Sequence, residues 1–169
     1  MRTLRQAART VVVDPEGAVF LVRSDNVEVG VHWMPPGGGL DPGETPSAAA
    51  RRELREETGW TDIPVDALLC TWEHDFTWHG TPVRQSEHIY LSRGPHREPL
   101  GDLRAAHQLD GILGWRWWTP QELADSAAEP LWPPTLPQLL APVRTAWADG
   151  RPGVAPVDLG YLPNVPRRR

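Results

Sequence analysis

The sequence predicts an α/β fold, a mixed β-sheet packed between helices. Three observations carry that prediction. Valine-rich segments bounded by turn residues interleave with stretches of helical spacing. Two long apolar-rich segments flank a His79-Gly80 pair, as in a β-hairpin. The chain has 169 residues, 40% hydrophobic and 23% charged, enough for one core without disulfides or structural metal.

Residues 9–14 and 18–23 read as strands joined by the turn Asp14-Pro15-Glu16-Gly17. A polar loop over residues 24–31 leads to the short segment His32-Trp33-Met34, then to Pro35-Pro36 and three glycines. A helix follows, with Thr45 as N-cap, Pro46 at the first helical position and Gly59 as the left-handed residue that ends it. Ala50 and Leu54 should face the sheet, and Arg51 and Arg55 solvent.

Residues 66–78 and 81–93 form the expected hairpin, and residues 94–110 a loop of mixed polarity. Residues 114–118 read as another strand, and Thr119-Pro120-Gln121-Glu122-Leu123 opens a helix by the N-cap and proline rule. The last helix is expected over residues 136–147, with Pro137 in its first turn and Pro142 as a kink. From Gly150 the chain is proline-rich and aperiodic. The domain is therefore placed at residues 1–149, with 150–169 a tail, disordered or draped over the body.

A formal net charge of −5 argues against a protein that coats duplex nucleic acid. Cys70 is the only cysteine, so no intrachain disulfide can form, and a cytoplasmic location is the simplest expectation. The basic N-terminus carries an apolar run only three valines long before Asp14, too short for a secretory core or a membrane span. Every basic residue is arginine. Codon bias explains that more simply than selection for phosphate binding.

Chemistry concentrates between Gly38 and Trp60. Glu53, Glu56 and Glu57 stand at i, i+3 and i+4 of the expected helix, within an arc of about 100°. Like charges so placed destabilise an isolated helix by tenths of a kcal/mol per pair, roughly. A hard divalent cation would compensate. On composition alone a Glu/Arg-rich helix is a solvated surface; the glycine loop before it and the fourth acid, Glu44, argue otherwise.

Gly38, five residues, Glu44, seven residues and then Arg52-Glu53-Leu54-Arg55-Glu56-Glu57-Thr58-Gly59-Trp60 resembles the complete Nudix box. Seven identities are fixed, so chance gives about one match in a billion per starting position. The Pro36-Gly37-Gly38 entry and the Trp117-Trp118-Thr119-Pro120 junction resemble the family too, and Trp60 is a mild departure where an aliphatic residue is commoner. The resemblance implies a Nudix-type α/β/α sandwich and hydrolysis of a phosphoanhydride bond in a nucleoside diphosphate-linked or triphosphate substrate. It implies Mg²⁺ or Mn²⁺ as cofactor, a small nucleotide as partner, and homodimers as frequent. Glu56 and Glu57 look like metal ligands, Glu53 a ligand or general base, and Arg52 the residue that orients them. Glu44 would brace the loop. Gly37 and Gly38 would let backbone approach closely, with a carbonyl completing the coordination.

A further acid outside the helix often finishes such sites. Glu87 is favoured over Glu98 and Asp110, which read as solvated loop acids. Arg23 and Arg84, on strands, are candidates for phosphate contact, and Trp33, just before the glycines, for base stacking. His74 and His79 have no cysteine partners, which argues against zinc. Gly38-x4-Gly43 fails as half a P-loop because Glu44 stands where the phosphate-binding lysine would be. Two alternatives remain: a nucleotide-sensing module without catalysis, and an isomerase of prenyl diphosphates, for which Cys70 is the lone nucleophile.

Overall fold

The computed structural model describes residues 1–65, 67–125 and 129–164, with the backbone only of Leu109 and Asp110. The described residues build one eight-stranded mixed sheet flanked by helices. Its elements are β1 (Thr3–Val13), β2 (Val19–Asn26), β3 (Gly30–Met34), β4 (Gly37–Gly39), α1 (Pro46–Thr58), β5 (Ala67–Trp78), β6 (Thr81–Arg93), α2 (Arg104–Asp110), β7 (Ile112–Trp118), α3 (Pro120–Ala124), α4 (Leu136–Ala148) and β8 (Val157–Tyr161).

The Val11-Val12-Val13 run is fully buried at the centre of the sheet. There β1 pairs in parallel with β6 from Thr3↔Val83 to Val13↔Arg93. A parallel pair needs a long crossover, and everything from β2 to β5 supplies it. The strand order is β3-β2-β1-β6-β5-β8, with β4 on β1 and β7 on β2. The β1/β2 turn closes through Gly17 N–H to Asp14 O at 3.0 Å, and the Asp14 carboxylate caps Glu16 and Ala18. Leu54, Ala49 and Ala50 of α1 pack beneath β1 and β4, while Arg51 and Arg55 are exposed as their spacing predicts.

Elsewhere the structure adds to the sequence reading. The expected 24–31 loop is shorter: β2 runs on to Asn26, whose side-chain carbonyl accepts from the Glu28 and Val29 N–H groups in the turn to β3. The three glycines form β4, paired as Ala7↔Gly39, Ala8↔Gly38 and Arg9↔Gly37. The 94–110 loop contains α2. The hairpin turns at His79 (φ 45°) and Gly80 (φ 79°), both left-handed, with Trp78 opposite Thr81; Asp66, the expected first residue of this hairpin, lies outside the described residues. Pro142 sits inside α4, where it withholds one backbone donor.

After Gly150 the chain runs along the sheet as far as Asn164. β8 adds in parallel to β5, with Cys70↔Val157 and Glu73↔Tyr161, and beyond it the Trp72 indole donates to Leu162 O at 2.9 Å. Five apolar or extended residues between prolines carry too little pattern to reveal an edge strand. Arg167, Arg168 and Arg169 lie outside the described residues. Ending the chain after Ala155 would strip the outer face of β5 and orphan the buried Trp72 indole. The expected cost is about 1–3 kcal/mol, read as a lower midpoint in urea unfolding.

Candidate functional site

A cleft of about 930 Å³ lies between the 37–44 loop, α1 and the face of the sheet. Glu53 and Glu57 form its acidic wall, although carboxylates are rarely buried unless paired. Glu57 is only 1% exposed and accepts from the Gly37 N–H at 3.0 Å. Glu53 is 7% exposed and accepts from Arg52 Nη1 at 3.0 Å. Thr45 caps the helix through Ala48 N–H, and Gly59 closes it with N–H to Arg55 O at 2.8 Å, so both acids hang from a fixed scaffold.

Arg52 is the hub of the wall. Its Nε and Nη2 grip the two Glu44 oxygens at 2.9 Å each, and Nη2 also donates to Gly39 O at 3.0 Å. Glu44 in turn accepts from the Asp41 N–H at 2.9 Å, tying loop to helix. The Arg52 hydrogen bonds, then that backbone bond, lower the Glu44 pKa; the same bonds to Glu44 raise that of Arg52. Glu56 is half exposed and turned onto Arg52 at 3.4 Å, outside the cleft lining. Among the described residues no three Asp, Glu, His or Cys side chains converge as a ready metal-binding group.

The donors nevertheless suit a hard divalent cation. Two carboxylates and the carbonyls of β4 offer only oxygen. Gly38 approaches so closely that a Cβ there would sit 2.6 Å from Glu53 Oε1. That cradle keeps backbone and carboxylate together. Glu53, Glu57 and a β4 carbonyl would hold the ion, and Glu56 would join them by leaving Arg52. Gly38→Ala is expected to lower kcat/KM by roughly 10–100-fold, as loss of a supporting contact at a metal site does. Circular dichroism should show α1 intact.

Beside the acids, along β4, the same cleft is lined by two arginines. Arg9, 4% exposed, donates Nη1 to Pro35 O and Gly37 O at 3.2 and 3.3 Å, and its Nε lies 2.6 Å from Glu87. Arg5 hydrogen-bonds Gln85 and lies 4.5 Å over the Trp78 ring. Glu87 is fully buried, and its partners account for all that holds it. His74 Nε2–H donates to it at 2.7 Å, Gln85 Nε2 at 2.7 Å, and Asn164 Nδ2 donates to His74 Nδ1 at 3.0 Å, fixing the tautomer. Burial opposes the charge on Glu87, but Arg9, His74 and Gln85 outweigh it and hold the carboxyl well below the usual range.

The structure therefore separates the sequence candidates. Glu53, Glu57, Glu44, Gly37 and Gly38 line one cleft, with Arg52 and Glu56 on its outer edge. Glu87 does not line it; the carboxylate reaches the site through Arg9. Arg23 and Trp33 alternate with cleft-lining Ser24 and His32, so they face the other way. There Arg23 pairs with Glu129 at 2.9 and 3.0 Å, and the Trp33 indole donates to the same carboxylate at 3.0 Å. Arg84 is bidentate to Asp75 and lies 4.7 Å over the Tyr161 ring, also away from the cleft. Glu98 is exposed, and the side chain of Asp110 lies outside the described residues. Burial, and then the nearby Glu87 charge, push the Cys70 thiol up to about 12, which disfavours a thiolate nucleophile. Sequence reasoning missed Arg5, Arg9, His32 and Trp132. Sheet registers bring Arg5, Arg9 and His32 to the cleft, and backbone bonds between Trp33 and the segment around Leu131 add Trp132.

The fold and site have known counterparts. A family model described as NUDIX domain matches residues 3–139. An RNA pyrophosphohydrolase of Erythrobacter litoralis is 36% identical over 130 residues, spanning 70% of this chain and 78% of that protein. Nudix hydrolase 25 of Arabidopsis thaliana is 30% identical over 139 residues, spanning 68% and 77%. Among solved structures, a MutT protein from Methanosarcina mazei superposes with a TM-score of 0.60 at 15% identity, over 89% of this chain and 98% of that one. An Ap4A hydrolase of C. elegans gives 0.54 at 21% identity, over 87% and 98%. At those identities the solved structures speak for the fold alone. With its box complete on α1 and the family match running through β1 to α4, the chain belongs to the Nudix family of hydrolases.

Proposed function

We propose that the chain hydrolyses a phosphoanhydride bond in a nucleoside triphosphate or a nucleoside diphosphate-linked substrate, using Mg²⁺ or Mn²⁺. The burial of Glu53 and Glu57 against the β4 backbone, in a cleft that Arg5 and Arg9 also line, carries this reading. When bound, the cation neutralises phosphate oxygens and acidifies water. The chain's residues do the rest. Arg5 and Arg9 offer positive charge to the phosphates. Glu53 or Glu57 takes the proton of the attacking water as its oxygen bonds to phosphorus, and the bridging P–O bond breaks toward the leaving phosphate. Arg52 keeps Glu53 oriented, and the Gly37 N–H does the same for Glu57.

Relatives named RNA pyrophosphohydrolase add a triphosphate-bearing RNA 5′ end to the candidate substrates. The test is phosphate or pyrophosphate release from a panel of nucleoside triphosphates, nucleotide sugars, dinucleoside polyphosphates and a 5′-triphosphorylated oligonucleotide, with and without Mg²⁺. Turnover of at least one member that stops on chelation is expected. Tight nucleotide binding with no turnover anywhere would favour the sensing module. No helix among the described residues is long and apolar enough to cross a membrane.

A further inference from the structure

We propose that His32 and Trp132 form a base-reading floor in this cleft: an acceptor and a donor, carried on two stacked rings, that select the substrate's nucleobase by an edge bearing one donor and one acceptor. The inference rests on the nucleotide reading above and names the part of the substrate these residues recognise.

Both rings line the cleft that holds Glu53 and Glu57, and each is 2% exposed. They stack with centroids 3.7 Å apart and planes 15° from parallel. His32 Nδ1 lies 2.8 Å from Gly30 O, an acceptor only, so Nδ1 carries the proton and Nε2 is left with a lone pair. Burial lowers the imidazole pKa to about 4, which keeps it neutral at pH 7. His32 Nε2 and Trp132 Nε1 both lack a hydrogen-bond partner among the described residues. An orphaned buried polar atom costs about 1–3 kcal/mol, and native structures leave few of them. Here two of opposite kind share one stack.

The pairing is built by the chain. Trp33 N–H donates to Pro130 O at 2.9 Å and Trp132 N–H to Trp33 O at 2.8 Å, zipping the segment before Pro133 onto β3. Glu129, held by Arg23 and the Trp33 indole on the other face, anchors that segment. Trp132 therefore lies over His32 because Trp33 of β3 holds its backbone directly, and Trp33 with Arg23 of β2 holds Glu129 three residues before it.

The chemistry selects the ligand class. A phosphate would meet the Nε2 lone pair, and a metal ion would meet the indole N–H, so neither fits both atoms. A flat ring with a polar edge fits both, and Phe76, 5.3 Å from Trp132, and Met34 supply apolar flanks. Both nitrogens are buried although their residues line the cleft, so a ring edge would meet them only after the side chains shift.

The test uses the wild-type chain without metal. The Trp132 indole ¹H–¹⁵N resonance, assigned by its proximity to the His32 ring, and the His32 imidazole ¹⁵N resonances are followed as AMP, GMP, CMP, UMP and ribose 5-phosphate are added. One nucleotide is expected to shift both sets and to bind at least about tenfold more tightly than the least favoured one. Ribose 5-phosphate should move neither. His32→Phe keeps a stacked ring but removes the acceptor, and should erase most of that preference. Unmoved resonances with every nucleotide, equal shifts with ribose 5-phosphate, or undiminished preference in a folded His32→Phe variant would overturn the proposal. Should that variant not fold, the wild-type resonances decide alone. Because no turnover is measured, failure of hydrolysis and failure of base reading are separate results.

Discussion

Glu57→Gln is expected to reduce kcat by roughly 10²–10⁴-fold, the span associated with losing an essential proton-transfer group, while the folded state persists. Glutamine keeps an oxygen that can accept from the Gly37 N–H, so the 3.0 Å bond tying helix to loop survives. What disappears is the charge. Glu57 is buried beside Glu53 on one helical face, where the two carboxylates repel each other. Without metal, Glu57→Gln should be as stable as the parent or slightly more so, and it should respond less to added Mn²⁺. Steady-state kinetics and thermal melts with and without Mn²⁺ check both halves. An unchanged rate would remove Glu57 from the machinery.

Arg9→Met should be the most destabilising single change at the site. Its guanidinium is 2.6 Å from a Glu87 carboxylate that no water reaches. Removing one partner of a buried pair costs about 3–5 kcal/mol. For a chain of this size that is a fall in Tm of roughly 6–20 °C. Glu87→Gln in the same background should recover much of the loss, since no buried charge is then stranded. Activity should not recover with it, because methionine cannot donate to Gly37 O or face the substrate with a charge. A double variant that is stable but slow is the expected signature. One that is stable and fast would make Arg9 purely structural.

The pair also sets the acid limb of stability. The Glu87 pKa is lowered by folding, so its contribution is fully present above the unfolded value of about 4.3 and fades as pH falls toward the folded one. Between those values the parent should lose stability faster than a chain carrying Arg9→Met and Glu87→Gln together.

Local signals made much of this molecule legible in advance. Thr45, Pro46 and Gly59 bracket α1 because capping depends on near neighbours, and the His79-Gly80 turn fixes the hairpin register for the same reason. Helical spacing put Glu53 and Glu57 on the cleft side of α1, but Glu56, in the same arc, turns onto Arg52. Distance in sequence hid the rest. Arg23 and Trp33 looked free to meet substrate, yet Glu129 claims both from about a hundred positions away. Glu87 looked like a ligand because its strand was right and its partners, Arg9 and His74, could not be seen. β4 was three glycines, which carry no strand propensity and pair only because β1 leaves an edge for them. Trp132 sat in a proline-rich stretch where no periodicity points to a cleft.

The central claim, that Glu53 and Glu57 grip a cation against a phosphoanhydride, is tested most directly by anomalous diffraction from crystals of the full chain soaked in Mn²⁺ with a non-hydrolysable nucleoside triphosphate analogue. Manganese is expected between the Glu53 and Glu57 carboxylates and the β4 backbone, with Glu56 swung off Arg52 toward it and a phosphate oxygen on its open side. Manganese found elsewhere, with those two acids still bonded only to protein, would contradict it.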